Sequence, residues 1–213
     1  MEDQLILVDT QDREKGTCGK LKAHQEALLH RAFSIFIFRK ILADNPDGTR
    51  TFHYQLLIQK RAAGKYHSAG LWANSCCSHP RAGEDIEEAV YRRLTEETGL
   101  AAGPGEMIPK LEEVGTFTYR ADFDNGLTEN EFDHVFVGWV DPEKGGKEGE
   151  NLVLHPDPEE AEEMRFLDVE DIMKDVLLNP SAYAAWFMPA LLIATDGQNF
   201  DSLNKEASDR LIY

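Results

Sequence analysis

Residues 71–100 read LWANSCCSHPRAGEDIEEAVYRRLTEETGL. Pro80 and Gly83 interrupt the chain, and a helical pattern begins just after them. Across 84–98 the apolar residues Ile86, Ala89, Val90 and Leu94 recur at helical spacing. Acids fill the first turn, where the helix dipole favours them, and Gly99 is placed to end the helix. Arg93, Glu96 and Glu97 lie three and four residues apart, so the helix gathers them on one face.

Outward from this helix, strands are expected on both sides. Upstream, 4–9 (QLILVD) reads as a short strand followed by a polar turn, and 31–38 (RAFSIFIF) as a buried strand. Residues 44–51 (DNPDGTRT) carry a hairpin-turn signal, with 54–61 (YQLLIQKR) as the returning strand. Downstream, 111–119 and 128–140 are expected strands around a turn at 122–126. Residues 144–150 (KGGKEGE) read as a charged loop, 167–178 and 183–195 as helices, and the rest as a polar tail. The order predicts an α/β fold, a mixed sheet between helices, in a single domain over 1–213 with its core at about 5–195.

Lys plus Arg number 22 against 39 Asp plus Glu, a net charge of −17. Such a surface argues against nucleic acid and anionic membranes as partners, and repels an anionic small molecule unless local cations or a divalent metal receive it. Cys18, Cys76 and Cys77, an odd count with one adjacent pair, form no disulfide framework and fit reduced thiols in a cytoplasmic protein. The charged N-terminal stretch is no signal peptide, and no run reaches the roughly 20 apolar residues of a membrane span.

The spacing over 78–100 resembles the Nudix box, G-x5-E-x7-R-E-U-x-E-E-x-G-U with U a bulky apolar residue. Glu84, Arg92, Leu94, Glu96, Glu97, Gly99 and Leu100 fall on it, Ser78 replaces the first Gly, and Arg93 replaces the first Glu of the R-E pair. A guanidinium in place of that carboxylate removes one anionic ligand for the ions that drive diphosphate cleavage. Glu97 remains able to hold one metal, and Arg93 can grip a phosphate oxygen. This weakens the alternative of a Nudix pyrophosphohydrolase.

The run Trp72-Ala73-Asn74-Ser75-Cys76-Cys77-Ser78-His79-Pro80, joined to that helix, resembles type 1 isopentenyl diphosphate isomerases. Arg61 and Lys65, Tyr119-Arg120-Ala121, Glu129-Asn130-Glu131 and Trp186 follow that family's order, so the resemblance spans roughly 5–190. It implies a Nudix-type α/β/α sandwich and a metal-dependent 1,3 proton shift between isopentenyl and dimethylallyl diphosphate; a monomer and a homodimer are both open from the sequence. It implies Cys77 and Glu131 as catalytic groups assisted by Tyr119, and His24, His30, His79, Glu129 and Glu131 as ligands of a Mn²⁺, Zn²⁺ or Mg²⁺ ion. It implies a substrate-linked Mg²⁺ held by Glu97 and the backbone carbonyl of Cys77. Arg61, Lys65 and Arg93 would neutralise the diphosphate, and Trp186 would offer its π face to a developing cation. Cys77 suits the role of base if His79⁺, Lys65 or a helix N-terminus lowers its pKa, whereas Cys76 is expected to pack.

Three departures stand out. His24 and His30 are six apart where seven are expected, Ala69 stands where a Pro precedes Gly-Leu-Trp, and the segment 41–54 is longer than in compact members.

Overall fold

A computed structural model describes residues 4–44, 50–141 and 152–196. The chain opens with an antiparallel pair, β1 (Gln4–Val8) and β2 (Glu14–Gly19), and a short helix α1 (Lys20–Gln25). Next come β3 (His30–Asp44), β4 (Arg50–Arg61), and the short β5 (Trp72–Ala73) and β6 (Cys76–Ser78), followed by helix α2 (Ile86–Thr98). The second half contains β7 (Leu111–Asp122), β8 (Thr128–Trp139), β9 (Ala161–Asp168), α3 (Val169–Leu178) and α4 (Phe187–Thr195).

Among the described residues the strands form one nine-stranded sheet. β3 lies in parallel register with β8, His30 opposite Glu131 and Ser34 opposite Val135, while its neighbours on the other edge are antiparallel. The sheet is therefore mixed, as expected. The run 31–38 shows no polar alternation because both faces are covered. Phe36 and Phe38 pack under α3 and α4 with Val169, Ile172, Phe187 and Leu191. Phe33, Ile35 and Ile37 pack under α2 with Ala89, Val90 and Leu94. The sandwich is thus α2 on one face and α3 with α4 on the other. Burying each of these large side chains contributes roughly 1.5–3 kcal/mol.

α2 starts at Ile86 rather than at Glu84, because Asp85 is its N-cap, its carboxylate accepting from the Glu87 N–H at 2.8 Å. Gly99 closes it in the left-handed region at φ 76°, where a Cβ would also sit 2.7 Å from that of His155.

The expected helix over 167–178 begins at Val169, and its first two residues end β9, a strand the sequence reading did not include. The expected helix over 183–195 begins at Phe187, after a 3₁₀ turn at Pro180–Ala182. The polar turn expected after β1 contains β2, and α1 follows it. The tip of the 44–51 hairpin, the 144–150 loop and the polar tail lie outside the described residues. Among the described residues no helix is long and apolar enough to cross a membrane.

Candidate active site

β-Strand alternation sorts the chemistry before any contact is considered. On β8, Glu129, Glu131 and Asp133 share one face and all are buried. On β6, Cys76 points into the apolar core under α2, while Cys77 points to the opposite side and lines a pocket. That pocket is an open cleft, its empty space of about 460 Å³ continuous with solvent. Its walls bring together Cys77, His79, Tyr119, Glu129, Glu131 and Trp186 with the cations Lys20, Arg61, Lys65 and Arg93. These four cations share the lining with the carboxylates of Glu129, Glu131, Asp133 and Glu160, in a molecule whose net charge is −17.

Four elements converge on the imidazole cluster. His24 comes from α1, His30 from the first residue of β3, His79 from the turn after β6, and Glu131 from β8. One ligand atom from each lies within 4.8 Å of all the others. The short His24–His30 spacing is absorbed by Ala27, whose φ of 52° turns the chain sharply between α1 and β3. Glu129 does not join that foursome; it groups instead with His24 and His67. The expected five-residue set is therefore two overlapping groups, and His67 had not been expected.

The cluster fits a divalent metal. His24 Nδ1 lies 2.7 Å from the Lys20 carbonyl and His30 Nδ1 lies 2.8 Å from the Leu28 carbonyl. A carbonyl only accepts, so each Nδ1 carries the proton and each Nε2 presents a lone pair. His30 Nε2 is fully buried with no hydrogen-bond partner. Glu131 Oε1 lies 3.4 Å from it, an attraction without hydrogen-bond geometry, and 2.8 Å from His79 Nε2. Mixed nitrogen and carboxylate donors of this kind suit a divalent cation.

Burial dominates the acid–base properties. It drives His24 down to about 4 and His79 to about 3, so both imidazoles are neutral near pH 7. Burial also opposes protonation of His30, but the Glu131 carboxylate outweighs it and raises that pKa. Glu131 itself resists the upward push of burial, because His30 and His79 hold it well below the carboxylate range. Glu129 moves the other way, raised by burial and by the charge of Glu131. The Tyr119 hydroxyl sits 2.5 Å from Glu131 Oε2 and 2.9 Å from Glu129 Oε2. One O–H serves one acceptor at a time, so the two carboxylates share the tyrosine proton, with Glu131 the nearer acceptor.

Cys77 differs from expectation. Burial pushes its thiol up to about 12, against the opposing pull of Arg61. His79 is neutral and gives no such help, and Lys65, paired with Glu160, pulls the thiol down as expected but less than Arg61 does, so burial prevails. The close cation is Arg61, whose Nη1 donates to the Cys77 sulfur at 3.3 Å while its guanidinium lies 5.1 Å from the Trp186 ring centre. Trp186 is buried, anchored by its indole N–H to Asn74 Oδ1 at 3.0 Å.

On α2, Arg93 is bound to Glu96 and Glu97, and Glu160 accepts from the same Nη2 at 3.1 Å that bonds Glu97. Lys20, Tyr66, His67 and Glu160 escaped the sequence reading. Glu160 lies in an acid-rich run where any carboxylate reads as solvated, and His67 is a loop histidine with no partner at a telling spacing.

Residues 30–187 match the NUDIX domain family. Two relatives decide the assignment more closely. Isopentenyl-diphosphate Delta-isomerase 1 of Aromatoleum aromaticum is 46% identical over 87% of this chain and 89% of its own length. The isopentenyl-diphosphate Delta-isomerase of Serratia proteamaculans is 42% identical over 88% of this chain and 89% of its own. The chain belongs to the isopentenyl-diphosphate Delta-isomerase family.

Family membership agrees with the fold at large. The DR0079 protein of Deinococcus radiodurans shares the architecture with a TM-score of 0.59, over 90% of this chain and 97% of that one, at 17% identity. The motifs that carry the isomerase resemblance, around Cys77, Tyr119 and Glu131, all open onto the one pocket.

Proposed function

We infer that this chain interconverts isopentenyl diphosphate and dimethylallyl diphosphate, the reaction for which its relatives are named. The observation that carries the residue assignments is the company kept in one pocket: a protonated thiol, an ionised carboxylate bearing a tyrosine O–H, and a bank of cations. The reaction adds a proton at the terminal alkene carbon and removes one two carbons away, so it needs one proton donor and one acceptor. Cys77 and Glu131 are that pair. An alkene is a very weak base, and its protonation leaves a tertiary cation-like centre.

Tyr119 holds a proton against Glu131 and fixes the carboxylate's orientation. Trp186 covers the pocket with its ring, excludes water and presents π density to the cation-like centre. Arg61, Lys65 and Arg93, with Lys20 beside them, bind and orient the diphosphate. Seating it requires Lys65 and Arg93 to share their contacts with Glu160.

His24, His30, His79, Glu129 and Glu131 would hold a Mn²⁺, Zn²⁺ or Mg²⁺ ion, and Glu97 with the Cys77 carbonyl would hold a Mg²⁺ arriving with the substrate. When bound, these ions supply charge neutralisation and tune the acidity of the groups around them. Arg93, set against Glu97, disfavours the hydrolase reading.

Proton NMR of isopentenyl diphosphate with the protein and Mg²⁺ in D₂O tests the proposal. Dimethylallyl diphosphate carrying deuterium is the expected product. Release of pyrophosphate or phosphate without isomerisation would overturn it.

A further inference from the structure

We propose that His67 is a positioning residue for the metal cluster, its Nε2 set against the Glu129 carboxylate so that it fixes the angle at which that carboxylate faces His24. This rests on the reading that the cluster holds a divalent ion. His67 and Glu129 are both buried, and His67 Nε2 lies 2.9 Å from Glu129 Oε1. Ligand atoms of His24, His67 and Glu129 lie within 4.8 Å of one another. Either His67 binds the ion itself or it orients a residue that does.

The surroundings of its ring select the second role. His24 and His30 each turn Nδ1 to a backbone carbonyl, which reserves Nε2 as a lone pair. His67 has no carbonyl at Nδ1. It has the Ser68 hydroxyl at 3.4 Å, a group able to donate or to accept, so Nδ1 is not obliged to carry the proton. Ser68 is held at φ 49°, a left-handed conformation uncommon for serine, and this sets its hydroxyl beside the ring. With Nδ1 free to accept, the Glu129 oxygen 2.9 Å from Nε2 favours the tautomer whose proton sits at Nε2. Such an N–H on a ligating carboxylate is the outer-shell support that fixes ligand orientation in metal sites.

The ring is also held in plane. It stacks on Phe123 at 5.0 Å between centres with 21° between planes, and lies 6.0 Å from His24 at 23°. The loop that carries it is pinned by Asn125, whose Nδ2 donates to the Tyr66 carbonyl at 2.6 Å. The His67 carbonyl accepts from Arg61 Nη2 at 3.4 Å, and Lys65 lies two residues upstream. One short loop therefore joins the diphosphate cations to the carboxylate side of the cluster.

The test compares the wild-type protein with His67→Phe, which keeps the stack on Phe123, and His67→Gln, whose amide can restore an N–H near the Nε2 position. Co²⁺ affinity is read from its visible absorbance in competition with a chelator, independently of turnover. His67→Phe is expected to bind Co²⁺ about 10–100-fold more weakly, with His67→Gln within a few-fold of wild type. Long-range ¹H–¹⁵N spectra of Zn²⁺-loaded wild-type protein are expected to show His67 as the neutral Nε2–H tautomer, a result that stands whether or not the Phe variant folds. Wild-type Co²⁺ affinity in a folded His67→Phe variant, or an Nδ1–H tautomer with Nε2 on the metal, would overturn the assignment. A wild-type protein that takes up no Co²⁺ would sink the metal reading and this one with it.

Discussion

Cys76 and Cys77 are neighbours in sequence and opposites in environment. One is sealed under α2; the other shares the pocket with Glu131 and Tyr119. Cys77→Ala and Glu131→Gln are each expected to lower kcat by about 10²-fold or more, the scale of general acid–base catalysis. Circular dichroism should be unchanged, and near-normal turnover in either variant would refute the roles. Cys76→Ser should leave chemistry intact but lose stability, because it places a hydroxyl in an apolar core. The choice between the two cysteines was legible in the sequence through the Cys77-Ser78-His79-Pro80 run. The charge state of Cys77 was not, because it depends on burial and on Arg61, sixteen residues away in the chain. His67 was equally hidden: its meaning comes from Glu129 and Phe123, which only folding brings near it.

Helix α2 was the element most open to reading, since its apolar period, acidic first turn and terminal glycine agree. β9 was not, because AEEMRFLD alternates weakly and its apolar residues run into those of α3. Two consequences follow for α2. Glu84 bridges back to Arg92, at 2.6 Å to Nε, and that guanidinium holds its pKa below 4.5. A depressed folded pKa means the stabilisation is complete above the unfolded value and is lost as pH falls through the folded one. Urea midpoints should therefore drop as pH falls below about 4.5, and less steeply in Arg92→Met. Gly99→Ala places a Cβ in left-handed backbone and against His155, and should cost about 1–2 kcal/mol from conformation alone, read by the same melts.

For the molecule as a whole, the two apolar layers share one sheet, so the domain should unfold as one unit. Tryptophan fluorescence and far-ultraviolet circular dichroism should give coincident denaturation curves, and separated transitions would argue for more than one domain. Phe36→Ala should lower the unfolding free energy from those curves by about 3–5 kcal/mol. Because the cluster ties α1, β3, the turn after β6 and β8 together, stripping metal with a chelator should lower Tm as well as abolish turnover.

The parallel pairing of β3 with β8 also has a meaning in time. Ser34 and Asp133, which bond at 2.9 Å beside the cluster, are 99 residues apart in the chain. Contacts that close so long a loop form late. A growing chain holding only its first hundred or so residues has His24, His30 and His79 but no Glu131, hence imidazoles without the carboxylate that gathers them. In refolding, helical circular dichroism should return first and the Co²⁺ absorbance last, making the colour of the bound ion a clock for the final closure of the sheet.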